Sequence, residues 1–281
     1  MGAKVQFHAI ASTGRTATTF LARALDCLPR VIACHEGYRA ADKDETPLLP
    51  LINLENRQAF YDANTASKVV AKKRSAEVLA AATADLDADA LVDVAYYNPT
   101  IAEALLVQHP NMRMVAIIRE LEPFVRSATA MEGEDPLPVG WPDPAKPLTA
   151  RERFIEMGRI RPPRESDEAA SWDGWSAIER NIWLWRETNA LLYAARERHG
   201  HRVLIVPFED LARDPLAFVT RIASHFGLPT HGIPEALEEA RDHKNKKASG
   251  YQIGPMSQWT SQERAFAAAA QDRMGYVECC M

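Results

Sequence analysis

Val5-Gln6-Phe7-His8-Ala9-Ile10-Ala11-Ser12-Thr13-Gly14-Arg15-Thr16-Ala17-Thr18-Thr19-Phe20-Leu21 decides the fold. Its first part, to Ala11, reads as a buried strand. The polar loop from Ser12 to Thr19 follows. Phe20, Leu21, Ala24, Leu25 and Leu28 then recur at helical spacing, and Pro29 closes the helix. A strand, a loop of small residues and a helix form an anion-binding arrangement. Unpaired N–H groups at the helix start point at the ligand, and the helix dipole favours negative charge there. Residues 14–19 let the backbone approach closely, three Thr hydroxyls add donors, and Arg15 adds a permanent charge. Taken alone, the pattern also fits an ordinary strand-to-helix turn.

The same rhythm runs outward from this segment. Arg30–Cys34, Ser67–Ala71, Leu91–Tyr96, Met112–Ile118 and Arg202–Phe208 are the further predicted strands. Helices are predicted over 77–84, from Ile101 to about His109, from Ile178 to about His199, and after Asp214, with Pro215 at the first position and Gly227 at the end. A short helix is expected up to about Met274. Apolar strands alternating with helices predict an α/β protein of three layers, α/β/α, around a mainly parallel sheet of P-loop-like type. Residues 1–281 are read as one domain. Residues 132–176 interrupt the pattern with seven prolines and with Trp141, Trp172 and Trp175. Such a stretch reads as an insertion or lid, or else as a surface excursion with some helix around 149–158.

Composition limits the function classes. Apolar residues at 47% and charged residues at 25% are globular values and exclude a disordered or fibrous chain. A net charge of −5 argues against general affinity for nucleic acid or anionic lipid, while leaving room for a local basic pocket. No stretch approaches the roughly 18 apolar residues of a membrane span. The first twelve residues do not read as an export signal, and Gln6 breaks the myristoylation pattern that Gly2 begins. Cys27, Cys34, Cys279 and Cys280 include no C-x-x-C pair, so no metal site is expected and a reduced, cytoplasmic chain is the simplest account.

The loop has no Lys, so the Walker A pattern is absent, and no G-x-G-x-x-G fingerprint stands in its place. A second anion site is expected where Arg119 ends the Met112–Ile118 strand and Ser127 follows eight residues on, at a predicted helix start. Ligands of doubly wound sheets bind at the carboxyl ends of the strands. The alternative is a surface Arg119 paired with Glu120 or Glu122.

Together these segments resemble the sulfotransferases that use 3′-phosphoadenosine 5′-phosphosulfate. Thr13-Gly14-Arg15-Thr16-Ala17-Thr18-Thr19 is similar to that family's 5′-phosphosulfate loop, and Arg119 with Ser127 to its 3′-phosphate motif. Val206 to Pro215 with Phe226-Gly227-Leu228-Pro229 resembles its late segment, and Lys246-Lys247-Ala248-Ser249-Gly250 with Trp259 its cofactor-closing loop. There are departures. Ala17 stands where the family usually has Gly, a change tolerable if φ stays negative. The run Arg119-Glu120-Leu121-Glu122-Pro123 is longer than the family's turn, and the Tyr96-Tyr97 region lacks the Lys-x-His of the cytosolic small-molecule subgroup.

The resemblance implies sulfuryl transfer to a hydroxyl, or secondarily an amine, of a small molecule or carbohydrate, with the 3′,5′-bisphosphate as product and no metal. It implies that Arg15 stabilises the leaving group. Thr13, Gly14, Thr16, Ala17, Thr18 and Thr19 would hold the phosphosulfate, and Arg119, Ser127, Lys246, Lys247, Ser249 and Gly250 the rest of the nucleotide. The expected base is Glu36, then His35, then Asp93; the alternative for His35 and Glu36 is a loop held by structural hydrogen bonds. Glu36, Tyr97, Trp141, Trp172 and Trp175 are expected on the acceptor side. Lys72-Lys73-Arg74 reads as further cofactor-facing charge or as a solvated helix start. The rival readings are a nucleotide-kinase-like phosphotransferase and a non-catalytic binding module of the same fold. No nucleic-acid or membrane partner is expected, and a homodimer is allowed.

Overall fold

The computed structural model describes residues 5–40, 46–129, 158–241 and 253–274. Trp141, Lys246, Lys247, Ser249, Gly250, the first part of the Pro-rich stretch and Cys279-Cys280 lie outside the described residues.

The predicted alternation of strand and helix forms a six-stranded sheet. Its strands are β1 (Gln6–Ser12), β2 (Val31–His35), β3 (Tyr38–Arg39), β4 (Ala90–Ala95), β5 (Met114–Ile118) and β6 (Val203–Pro207), ordered β3-β2-β4-β1-β5-β6. Every pairing is parallel except the short β2–β3 hairpin. The helices are α1 (Thr18–Asp26), α2 (Asn56–Tyr61), α3 (Ala63–Lys73), α4 (Ala76–Thr83), α5 (Asn98–Gln108), α6 (Leu121–Thr129), α7 (Asp167–Ser171), α8 (Ala177–His199), α9 (Glu209–Arg213), α10 (Pro215–Phe226), α11 (Ile233–Arg241) and α12 (Ser261–Arg273).

Strand periodicity splits the core in two. Phe7, Ala9 and Ala11 of β1 face one layer with Leu91, Val70, Ile101 and Leu192, so α3, α5 and α8 cover that side. Ile10 faces the other with Val92, Val115, Leu21, Val219 and Leu237, covered by α1, α10 and α11. This is the expected α/β/α sandwich. After β1 the chain leaves through α1 towards β2; after β5, the neighbour of β1, it leaves towards β6 on the opposite side. The crevice beyond the carboxyl ends of β1 and β5 is therefore a topological switch point.

Two expectations are corrected. Ser67–Ala71 is helix, not strand. Asp62 caps α3 by accepting from the Asn64 and Thr65 amides, and Ala66, Val69 and Val70 form one buried helical face. Ser127 is not at a helix start: α6 begins at Leu121, where the amide of Glu120 is taken by Glu209 at 3.1 Å, and Ser127 lies two turns on. Asp214 does cap α10, with Pro215 first and Gly227 last at φ 75°.

Candidate functional site

The loop after β1 is held in a strained shape. Gly14, Arg15 and Ala17 all have positive φ (79°, 57° and 54°). An L-residue in this region costs about 1–2 kcal/mol, and such strain gathers at functional sites. The expectation that φ stays negative at Ala17 is thus overturned. Ala17 is the N-cap of α1 in a left-handed conformation, and no side chain caps the helix. The loop supports itself from within: Ser12 Oγ accepts from the Gly14 amide (3.1 Å) and from the Thr16 hydroxyl (2.8 Å). Thr16 is fully buried, so its hydroxyl serves the loop.

Across the switch point, Arg15 Nε donates to Ser127 Oγ at 3.1 Å, and Arg119 Nη1 donates to the Arg15 carbonyl at 2.5 Å. Residues about a hundred positions apart meet above β1 and β5. Arg119 is supported from beneath. Its guanidinium lies 4.7 Å over the Phe208 ring, and its carbonyl accepts from Trp185 Nε1 at 2.7 Å. Burial disfavours its charge, with Glu209 opposing that loss and Arg15 adding to it. Nε of Arg119 is buried with no hydrogen-bond partner among the described residues. A cation held in protein beside Arg15, with an unmet donor, could receive an anion. The late segment around Phe208-Glu209 supports this site from below, its ring under Arg119 and its carboxylate on α6. The chain on the far side of residues 242–252 docks here too: the carbonyl of Ile253 accepts from Arg126 at 3.1 Å, next to Ser127, and buried Trp259 packs with Leu121, Phe124 and Val125.

Glu36 and His35 end β2 beside the same loop. His35 Nε2 lies 3.1 Å from Thr18 Oγ1 and 3.3 Å from Thr19 Oγ1. Burial, aided by the charge of Arg23, lowers its pKa to about 4, so the ring is neutral near pH 7. Glu36 and Gly37 are the two central residues of the β2–β3 turn, at φ 54° and 91°. Two positive φ values match the tight hairpin turn that Asn-Gly or Gly-Gly ordinarily supplies. Gly37 is required, because a Cβ there would lie 2.8 Å from the Leu49 carbonyl oxygen and from Leu51 Cδ2. A Glu at the first position is strained, and its amide is pinned to the Val94 carbonyl at 3.0 Å. Its side chain, one third exposed, stands 3.8 Å from His35 Nε2. Burial, reinforced by the charge of Asp93, raises the Glu36 pKa from 4.5 to about 7.

Asp93 and Tyr97 are placed away from this opening. Asp93 Oδ2 receives Arg74 Nε at 2.9 Å, and both side chains are wholly buried. Arg74 also donates to the Tyr97 hydroxyl (3.1 Å) and the Pro50 carbonyl (2.8 Å). Burial works against the charge of Arg74, and Asp93, with Tyr97 and Cys34, more than offsets it. Arg74 therefore belongs to neither expected class: it is a core ion pair, while Lys73 pairs with Glu55. Tyr97 is fully buried and its neighbour Tyr96 takes the place nearer the site. Tyr96 packs along the loop, with its Cβ 3.6 Å from where a Gly14 Cβ would stand, and its hydroxyl feels the charges of Glu36 and Arg159. Burial pushes that hydroxyl well above its ordinary pKa. β4 ends at Ala95, and Tyr97 turns inward as the N-cap of α5. The strand alternation that would choose between adjacent tyrosines ends there, so the sequence carried no signal for Tyr96.

Trp172 is also core. It packs edge-on against Trp183 (ring centroids 5.5 Å apart) with Ile160 and the half-buried Trp175, which meets Phe266 at 4.8 Å. Among the described residues, no group of three or more His, Cys, Asp or Glu could hold a metal ion, and no helix is long and apolar enough to cross a membrane.

No protein-family model matches the chain, and no curated protein matches it. Solved structures do. A sulfotransferase from Mycobacterium avium superposes with a TM-score of 0.53 at 12% identity, covering 96% of this chain and 77% of that one. One from Mycobacterium tuberculosis H37Rv gives 0.51 at 13% identity, covering 97% and 77%. The sulfotransferase domain from the curacin biosynthetic pathway gives 0.50 at 14% identity, covering 80% and 75%. The fold is the one these sulfotransferases share.

Proposed function

We propose that this chain, built on the sulfotransferase fold, transfers a sulfuryl group from 3′-phosphoadenosine 5′-phosphosulfate to a hydroxyl, or secondarily an amine, of a small-molecule or carbohydrate acceptor. The observation that carries the reading is the convergence of Arg15, Ser127 and Arg119 at the switch point, with the strained Glu36 turn joined to the same loop through His35, Thr18 and Thr19. The residues suit the donor's chemistry. The uncapped start of α1 and the loop amides suit a 5′-phosphate, and Arg119 with its unmet Nε, beside Ser127, suits a second phosphate.

When bound, the donor nucleotide supplies the sulfuryl group and departs as the 3′,5′-bisphosphate. Glu36 takes the acceptor proton. A base works best when its pKa lies near the working pH. Glu36, raised to about 7, meets that condition, and His35, lowered to about 4, does not. His35 orients Thr18 and Thr19 and packs beside Glu36. Asp93, tied to Arg74, biases Glu36 by its charge without reaching the acceptor. Arg15 holds positive charge where negative charge grows on the leaving phosphate, and its left-handed backbone fixes that position before reaction.

Calorimetry with adenosine 3′,5′-bisphosphate tests the reading: metal-independent binding is expected, with ATP and Mg²⁺ binding far more weakly. The reverse preference would favour a phosphotransferase. Bisphosphate binding without turnover across a broad acceptor panel would favour a non-catalytic module.

A further inference from the structure

Arg119 and Glu120 form a two-residue link between β5, which ends at Ile118, and α6, which begins at Leu121. Backbone groups around the link are held by its near neighbours. The Ile118 carbonyl accepts from the Phe208 amide at 2.7 Å, and the Glu120 carbonyl accepts from the Phe124 amide at 3.1 Å. The Arg119 carbonyl is held differently. It accepts from a side chain of another helix, the indole Nε1 of Trp185, at 2.7 Å. Trp185 is wholly buried in α8 and packs in one cluster with Leu121, Phe124 and Val125 of α6. An indole has one polar hydrogen, and this one goes to the Arg119 carbonyl. Helix α8 is a firm carrier for it. A capping box of Ser176 and Glu179 closes the helix start, and Ser176 Oγ donates to Glu263 Oε1 of α12 at 2.7 Å. The indole therefore passes the position of a long, anchored helix to a short link.

Arg119 depends on that hold. Its guanidinium rests 4.7 Å over the Phe208 ring, its Nη1 donates to the Arg15 carbonyl, and its Nε has no hydrogen-bond partner among the described residues. A binding group must stand within about 0.5 Å of its productive place. A long side chain turns a small rotation of the link into a larger displacement of the guanidinium. Without the indole N–H, the Arg119 carbonyl would be left unpaired in the protein interior. Such a group costs more than the bond itself contributes, so the link would turn towards another donor and carry the guanidinium with it.

We propose that Trp185 is a positioning residue: its indole N–H holds the Arg119 carbonyl so that the guanidinium meets a nucleotide 3′-phosphate, and it thereby sets the preference for a 3′,5′-bisphosphate over a 5′-monophosphate. This deepens the sulfuryl-transfer reading and rests on it, since that reading puts the second phosphate at Arg119. Trp185 is wholly buried and acts through Arg119, not on the nucleotide.

The test is calorimetry on the full chain with adenosine 3′,5′-bisphosphate and with adenosine 5′-monophosphate. Trp185→Phe keeps an aromatic ring and removes the donor. It should weaken the bisphosphate about five- to tenfold, part of what a charge-assisted bond contributes, and leave the monophosphate within about twofold. Trp183→Phe is the control. It removes a comparably buried indole whose Nε1 donates to Glu168 Oε2 at 2.8 Å, and it should change neither affinity. Added to Arg119→Ala, Trp185→Phe should cost nothing further, because residues that act through one another are not additive. A second measurement needs no variant. In the parent chain, hydrogen exchange at the assigned Trp185 indole N–H should slow with saturating bisphosphate and not with saturating monophosphate. Equal weakening of both nucleotides would make Trp185 a structural residue and overturn the proposal. Unchanged bisphosphate affinity, a loss that adds to that of Arg119→Ala, or equal exchange rates with the two nucleotides would overturn it too. Absence of bisphosphate binding by the parent chain would instead defeat the sulfuryl-transfer reading.

Discussion

Replacing Glu36 should make the protein more stable and inactive together. Two costs meet at this residue. Its carboxyl is held at about pKa 7 against 4.5 in the open. Fully expressed, that difference corresponds to about 3 kcal/mol above pH 7. One third of the side chain is exposed, so solvent screening reduces it to about 1–2 kcal/mol. The backbone adds about 1–2 kcal/mol for an L-residue at φ 54°. Between pH 4.5 and 7 the native state holds a proton that the unfolded chain has released. Stability therefore falls as pH rises through that window, and the penalty is complete above 7 and absent below 4.5. Glu36→Gln removes the charge cost and should gain about 1–2 kcal/mol at pH 8 and little at pH 4. Glu36→Asn also relieves the turn, because Asn-Gly suits both positive φ positions, and should gain more at both pH values. Urea titrations at pH 4 and pH 8 measure this. Turnover of each variant should be lost while bisphosphate affinity is kept. A Gln variant no more stable than the parent at pH 8, or one with full turnover, would refute both the electrostatics and the assignment of the base.

Arg119→Ala should weaken adenosine 3′,5′-bisphosphate binding by at least about tenfold in calorimetry, and Ser127→Ala by less, because the cation carries more of the interaction. Ala17→Gly should leave the fold intact and raise the urea midpoint, since relief of about 1–2 kcal/mol of left-handed strain outweighs the smaller entropic cost of glycine; a fall would mean the loop is not strained there. Arg74→Met should cost about 3–5 kcal/mol by stranding the buried Asp93 charge, and adding Asp93→Leu should restore most of it in equilibrium unfolding. His8, stacked on Phe226 at 4.8 Å, is lowered from 6.5 to about 4 by burial and by the charges of Arg113 and His225. The unfolded chain takes up that proton first, so its contribution is lost as pH falls from 6.5 to 4, and a His8→Gln variant should show a flatter acid limb.

The fold was legible because the strands are continuous apolar runs and most helices carry their own signals, such as Asp214-Pro215 before α10 and Gly227 after it. It was misread where one pattern serves two structures. Val69-Val70 looks like a strand, yet with Ala66 it is a helical face, and only packing against α2 and α5 separates the two. Much of the candidate site was legible in the same way. Arg15, the Thr-rich loop, Arg119 and Glu36 could be named because each lies at the end of an apolar strand or shortly beyond, where a parallel sheet collects its ligands, and Ser127 by its spacing from Arg119.

Other features could not be seen along the chain, because they are distances between residues far apart in it. Arg15 meeting Ser127, His35 meeting the Thr18 and Thr19 hydroxyls, and Arg74 taking Asp93 and Tyr97 into the core all depend on the order of strands in the sheet. The sequence by itself determined which elements form and which residues stand at their carboxyl ends, since hydrophobic periodicity and turn chemistry act locally. Tertiary structure alone decided which of those residues share a pocket. It also decided which carboxylate stands open: Glu36, strained and partly exposed at the β2–β3 turn, where Asp93 is locked in a buried ion pair.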